Sequence, residues 1–304
     1  MKNIYEPIKS KRRNIILDTD IGPDCDDAAA IAILFEMQKE HNFHISGIVN
    51  SSSNPYGTKA IETLCKYYEY NDIPIGSYSK PDGLGDQIKY NKYLANNILP
   101  TLKGKDNPKM DSLKLYKEAL ESSEDDGTVI ITIGSFLAIS EALRAYPELF
   151  EKKVYAVISM AGRFSERKTE FNVEWNISAA KYFFENFKNT IICSGFEVGV
   201  DVITGFEDMI MPDLTNPVKM SYYLFTDGLN TRPSWDLTAV EFAVNGQSDI
   251  FCLSEPGVIN ITKEGFTEYT AKHNGKHMYI IKNTSSNEIA IYLNNLLKRT
   301  TDKK

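Results

Sequence analysis

Thiols, imidazoles and long apolar runs are all scarce in this chain. Its four cysteines, at positions 25, 65, 193 and 252, form no C-x-x-C pair and show no metal-ligand spacing. A disulfide framework and a thiolate zinc site are therefore excluded, and the thiols are expected to be reduced core filler. The four histidines, His41, His44, His273 and His277, stand apart from the acidic motifs and read as ordinary surface or half-buried residues. No apolar stretch reaches the ~18 residues of a membrane span. The opening MKNIYEPIKSKRR lacks the apolar centre of a secretory signal, which makes a cytoplasmic location the expectation. Basic residues are outnumbered, 34 Lys and Arg against 41 Asp and Glu. The net charge of −7 gives no electrostatic reason to expect nucleic acid or an anionic membrane as partner. The short basic run over 9–13 reads as a solvated lead-in to a first strand. There is no repeat, low-complexity tract or linker, and residues 1–304 are expected to form one globular domain.

Negative charge, by contrast, is concentrated in one place. Residues 14–31 read NIILDTDIGPDCDDAAAI, an apolar run that feeds into Asp18, Asp20, Asp24, Asp26 and Asp27 and then into a helix-forming Ala/Ile segment. Carboxylates this dense repel one another unless protons or a cation relieve them. A hard divalent cation held by oxygen ligands explains the cluster most economically. An EF-hand loop does not, because its required Gly and Glu positions carry Pro23 and Ala29. A solvated turn with Asp24 or Asp26 capping a helix accounts for one or two aspartates only. A phosphotransferase of the haloacid dehalogenase type also places Asp-x-Asp after a strand, but Gly22 stands where Thr or Val is usual, and Asp26-Asp27 has no counterpart so close. Cys25 lies inside the cluster, where the surrounding charge should raise its pKa and blunt its reactivity.

Strand and helix patterns alternate around this motif. Strands are expected over 15–17, 43–49, 73–75, 128–133, 154–159 and 190–193. Helices are expected over 26–39, 58–70, 113–122, 136–145, 178–186, 219–224, 237–244 and 287–298. Residues 79–108, rich in Gly, Asn, Asp and Tyr, read as a long functional loop with short helical pieces. Residues 250–279 suggest a small antiparallel sheet. This alternation predicts an α/β fold, a mainly parallel open sheet with helices on both faces. The loops at the C-terminal strand ends then share one rim, and polar residues far apart in sequence converge there. They are residues 50–54, Gly134-Ser135, Glu170, Asn172, Asn176 and Trp235-Asp236. Each also has a plain structural reading: Glu170-x-Asn172 as a surface turn, Trp235 as a core aromatic, Asp236 as a helix N-cap.

In order and content these segments resemble the inosine-uridine-preferring nucleoside hydrolase family, over residues 14–244. The most specific part is Asp18-Thr19-Asp20-Ile21-Gly22 followed by Asp26-Asp27. Many members have a spacing two residues shorter, and a form with Gly-x-Asp-x-Asp-Asp also occurs. The resemblance implies a Rossmann-like nucleoside hydrolase fold, hydrolysis of nucleoside N-glycosidic bonds and one bound Ca²⁺. It places Asp20 on the general base, which also binds the metal, Asp27 on the bidentate metal ligand and Asp236 on the distal one. Ile133 falls where a backbone carbonyl ligates the ion. Asp26, Asn54, Glu170 and Asn172 match the residues that hold the ribose hydroxyls. Trp235 stands where pyrimidine-accepting members carry an acidic His and where the purine-preferring branch carries a Trp that stacks on the base. A second aromatic, Tyr90 or Tyr93, would close that sandwich unless it packs within its own loop. Between Met160 and Glu170 the chain is shorter than the typical member, and one further ribose-binding Asn has no counterpart.

The implied chemistry suits these residue types. Hydrolysis passes through an oxocarbenium-like ribosyl cation, as in glycoside hydrolysis. A cation lowers the pKa of water, a carboxylate takes the proton, and anionic ligands beside the ring stabilise its positive charge. The partner implied is a small-molecule nucleoside, with a homo-oligomer as the family default. Two other readings remain open at this point: a hydrolase of another N-ribosyl compound, and a metal- and ribose-binding protein without turnover. A base beside the metal argues against the second.

Overall fold

The computed structural model describes residues 5–10, 13–83 and 89–301. Lys11 and Arg12 of the basic lead-in and residues 84–88 of the Tyr-rich loop lie outside the described residues. The strands are β1 Asn14–Thr19, β2 His44–Asn50, β3 Ile75–Ser77, β4 Lys109–Asp111, β5 Thr128–Thr132, β6 Val154–Met160 and β7 Thr190–Ser194. There follow β8 Ile203–Gly205, β9 Thr231–Pro233, β10 Phe251–Leu253, β11 Gly257–Ile261, β12 Thr267–Ala271 and β13 His277–Lys282.

One sheet takes all of these but β8 and β9, in the order β12-β11-β13-β7-β6-β5-β1-β2-β3-β4, with β10 paired to β13. From β13 to β4 every neighbouring pair is parallel. The expected mainly parallel sheet is present, and the tail departs from expectation in an instructive way. Its strands are antiparallel among themselves, yet β13 docks parallel on β7, so they extend the main sheet. The separate ribbon β8-β9 was not expected from sequence.

Side chains of β1 alternate between two cores, which is why its apolar run is continuous. Ile15 and Leu17 pack into one hydrophobic cluster with the helices Asp26–Glu40, Gly57–Tyr67, Trp235–Asn245 and Ser286–Thr301. Ile16 packs into the other, with the helices Ser112–Glu121, Leu137–Ala145 and Ile177–Asn186. The helix Asp26–Glu40 is buried from Asp26 through Met37. Its Ala-Ala-Ala-Ile-Ala-Ile-Leu-Phe sequence offers no polar stripe, as a helix enclosed on all sides requires.

The chain runs outward from β1 through β2, β3 and β4, then returns to the opposite side of β1 to begin β5. The strand order therefore reverses between β1 and β5. In open α/β sheets the crevice outside the C-terminal strand ends at such a reversal is where ligands bind.

Candidate active site

At that reversal two loops leave adjacent strands and nearly touch. A Cβ on Gly134, which follows β5, would lie 2.6 Å from the Asp20 amide nitrogen and 2.7 Å from Ser51 Oγ. Glycine is required there for the loops to approach. Gly22 turns the chain after Asp20 with φ at 147°, another conformation suited to glycine. The Ser52 hydroxyl donates to the Asp20 carbonyl at 3.1 Å and holds the same turn from β2.

A cleft of about 420 Å³ opens over this point. Its wall includes Asp20, Asp24, Asp26, Asp27, Ile133, Glu170, Asn172, Trp235 and Asp236, contributed by loops from one end of the sheet. The helix Trp235–Asn245 explains how Asp236 arrives. Its N-cap Ser234 makes no side-chain cap. Instead Asp26 Oδ2 accepts the Trp235 amide at 2.9 Å and the Asp236 amide at 3.1 Å, so one helix start caps another. The Thr19 hydroxyl donates to Asp27 Oδ1 at 2.5 Å and fixes that carboxylate against β1.

Carboxylate oxygens of Asp26, Asp27 and Asp236 all lie within 4.8 Å of one another, and all three residues are buried. Asp20 is also buried, and its carboxyl is within hydrogen-bonding reach of Asp27. Burial first, then the neighbouring carboxylates, pushes Asp26, Asp27 and Asp236 well above the usual carboxylate range. Asp20 is raised by burial as well. Among the described residues the cation closest to this group by charge pairing is Arg232, and it is engaged by Asp24. The buried carboxylates of Asp26, Asp27 and Asp236 could hold a hard, oxygen-seeking divalent ion, and Asp20 and Ile133 line the same wall, the Ile133 carbonyl accepting Asn172 Nδ2 at 3.4 Å.

The other sugar-binding candidates divide. Glu170 lies at the cleft as the N-cap of the helix Phe171–Trp175. Its Oε1 accepts the Asn172 amide at 2.9 Å, and its Oε2 accepts those of Gly162 and Val173 at 3.1 and 3.3 Å. Burial pushes Glu170 up to about 7 against these donors, which can be served only by an acceptor. Asn172 Nδ2 donates to the Met160 carbonyl at 3.0 Å, which leaves Oδ1 as its acceptor. Asn54 is buried but does not line the cleft, and its Oδ1 accepts the Tyr56 amide at 2.8 Å in a local turn.

The acidic motif does not converge as a whole. Asp18 points into the other core and accepts the Tyr116 hydroxyl at 2.5 Å. Asp24 does not cap the following helix, whose N-cap is Cys25 without a side-chain cap. Burial, then the charges of Asp24 and Asp26, raises the Cys25 thiol, as the motif led one to expect. Of the two fates open to Tyr90 and Tyr93, packing is the one observed: Tyr90 is fully buried with its hydroxyl on the Asp24 carbonyl at 2.7 Å, and Tyr93 packs against the core. Phe171 and Phe196 line the cleft in their place. Trp235 is half-buried there, its Nε1 donating to the Phe196 carbonyl at 2.9 Å. No histidine reaches the wall among the described residues, and His277 is buried, not superficial, because its Nδ1 accepts the Ile259 amide at 2.9 Å between β13 and β11. Arg163 and Arg232 line the cleft without having been foreseen.

Comparison with known proteins agrees with the architecture. The sequence pattern of a family described as inosine-uridine preferring nucleoside hydrolase matches residues 15–272. A comparison with curated proteins found no match. A plant nucleoside hydrolase structure superposes with a TM-score of 0.72 at 17% identity, covering 96% of this chain and 100% of the other. An inosine-guanosine nucleoside hydrolase superposes at 0.71 and 19% identity, covering 94% and 99%. An inosine-uridine preferring nucleoside hydrolase from Bacillus anthracis gives 0.69 at 13% identity, covering 95% and 98%. At these identities the likeness is one of fold.

Proposed function

Because the chain belongs to the inosine-uridine preferring nucleoside hydrolase family of N-glycosidases, we propose that it cleaves purine ribonucleosides to ribose and free base with Ca²⁺ bound. One observation carries this reading: the cleft sets Asp20, Asp26, Asp27 and Asp236 beside the half-buried indole of Trp235. Asp20, Asp27, Asp236 and the Ile133 carbonyl would hold the ion. When bound, it supplies positive charge that acidifies water and orients sugar hydroxyls.

The remaining work falls to the side chains. Asp20, buried in the cleft wall, takes the proton of the water that attacks the anomeric carbon. Asp26 has one oxygen occupied by two amides and offers the other to a ribose hydroxyl. Glu170 holds its acceptor sites in place with three N–H donors, and a carboxylate retains capacity for a further hydroxyl. Asn172 presents Oδ1 beside it. The carboxylates together stabilise the cationic ring as the C1′–N bond opens. Trp235 offers a π-face for the departing base, stronger for an extended purine than for a pyrimidine. A homo-oligomeric, cytoplasmic enzyme completes the reading.

A panel of purine and pyrimidine nucleosides, read out as free ribose, tests it. Faster release from inosine than from uridine or cytidine is expected. Equal rates on both classes, or release only from another N-ribosyl compound, would contradict the purine assignment.

A further inference from the structure

The opening motif contains one cleft carboxylate, Asp24, that the metal, base and sugar assignments all leave unused. The Asp24 side chain turns to Arg232, 208 residues away. Arg232 Nε donates to Oδ1 and Oδ2 at 3.0 and 2.9 Å, and Nη2 donates to Oδ2 at 2.5 Å. The two side chains keep 34% and 22% of their exposure, so they sit at the cleft wall, not on open surface. The guanidinium carbon lies 5.3 Å from the Trp235 ring centre and 5.2 Å from that of Phe225. Among the described residues no acceptor takes Arg232 Nη1.

We propose that Arg232, oriented by Asp24, hydrogen-bonds the carbonyl edge of the leaving base and so selects 6-oxopurine over 6-aminopurine ribonucleosides. The assignment rests on the purine reading above. The guanidinium lies over the Trp235 ring, so a base held against that indole comes within its reach. O6 and N7 of a 6-oxopurine are two adjacent acceptors, the pattern that an arginine fork matches. A 6-amino group turns a donor toward the same fork, which then keeps only the bond to N7.

Arginine stays protonated throughout, so its part is electrostatic. The C1′–N9 bond breaks with its electron pair passing to the base. The water oxygen bonds to C1′, and its proton goes to Asp20. Arg232 holds the charge that gathers on the base edge and keeps its own proton. The base takes its proton from solvent afterwards. Asp24 fixes the fork before the reaction starts, so no reorientation is needed when charge develops. A plainer role exists for the same pair, since it also ties the turn after β1 to β9.

Measuring kcat/KM for inosine, adenosine and p-nitrophenyl riboside separates the two roles. Arg232→Gln is expected to lower the value for inosine about 10- to 100-fold, the worth of one hydrogen bond to a charged group. Adenosine, which offers only N7 to the fork, should lose clearly less than inosine, and p-nitrophenyl riboside, which offers neither acceptor, should change by less than about threefold. The double variant Asp24→Asn/Arg232→Gln leaves no unpaired carboxylate and should show the same collapse of the inosine-to-adenosine ratio. Equal losses on all three substrates in both variants would make the pair structural and overturn the proposal. Purine turnover with an unchanged ratio overturns the Arg232 assignment alone. A wild-type protein that cleaves no purine nucleoside overturns this assignment together with the purine reading.

Discussion

Replacing Trp235 by alanine separates a leaving-group role from a packing role. The backbone amide that Asp26 accepts survives the change, so the start of the helix Trp235–Asn245 keeps its cap. What is lost is the hydrogen bond from Nε1 to the Phe196 carbonyl at 2.9 Å, a tilted ring contact with Phe196 at 5.5 Å and the Arg232 guanidinium contact at 5.3 Å. These are worth about 1 kcal/mol each or a little less, so stability should fall by about 2–3 kcal/mol. For a chain of this size that is a fall in Tm of about 3–5 °C, well short of unfolding the enzyme at room temperature. Stacking of a base is worth roughly 1–3 kcal/mol. On inosine kcat/KM should therefore drop about 5- to 150-fold. The p-nitrophenolate of p-nitrophenyl riboside departs without protonation, so that substrate should lose little. Steady-state kinetics on both substrates, with Tm recorded alongside, gives the comparison. Equal losses on the two would show that Trp235 only fills space.

Three other outcomes are expected. Asp20→Asn should cut kcat by orders of magnitude while keeping most of the metal, whereas Asp27→Asn should lower metal content first; elemental analysis beside kinetics distinguishes them, and near-native rate with full occupancy in both would refute the roles. 2′-Deoxyinosine should be a very poor substrate, because loss of a hydroxyl strands the buried acceptors Asp26, Glu170 and Asn172; a kcat/KM equal to that of inosine would show that they do not hold the sugar. Burial lowers His277 to about 4, and the Ile259 amide that its Nδ1 accepts can be served only by the neutral ring. Its neutral form is favoured in the folded state, so this stability is complete above pH 6.5 and is lost as the pH falls toward 4, by as much as about 3 kcal/mol. His277→Asn should flatten the acid limb of Tm against pH, and an unchanged limb would exclude this group as its source.

The fold was legible wherever one element carried its own period. The apolar run into β1, the all-round apolar helix Asp26–Glu40 and the strands β5 to β7 announce themselves locally. The ribbon of β8 and β9 does not, since two three-residue strands separated by a long segment have no pattern to show. For the same reason β4 and the five-residue helix Phe171–Trp175 went unread. The carboxylates of the site were legible because their density is costly without a ligand. Their partners were not. The cap that Asp26 places on a helix 209 residues away, and the Arg232 that Asp24 anchors across a similar span, leave no trace in local sequence. Glu170 was noticed, yet its local duty as an N-cap was overshadowed by its match to a sugar ligand. Asp18 looked like a fifth member of the cluster. Strand alternation alone would have sent it to the other face, since Thr19 had to face Asp27.

The central claim is that a divalent cation held by Asp20, Asp27 and Asp236 enables cleavage of a nucleoside. Its most direct test is inosine hydrolysis by protein stripped of divalent metal, checked by elemental analysis, before and after Ca²⁺ is restored. The reading predicts a loss of at least about a hundredfold on stripping. Ca²⁺ should restore the rate in the wild type and fail to do so in Asp27→Asn. Undiminished turnover in verified metal-free protein would contradict it.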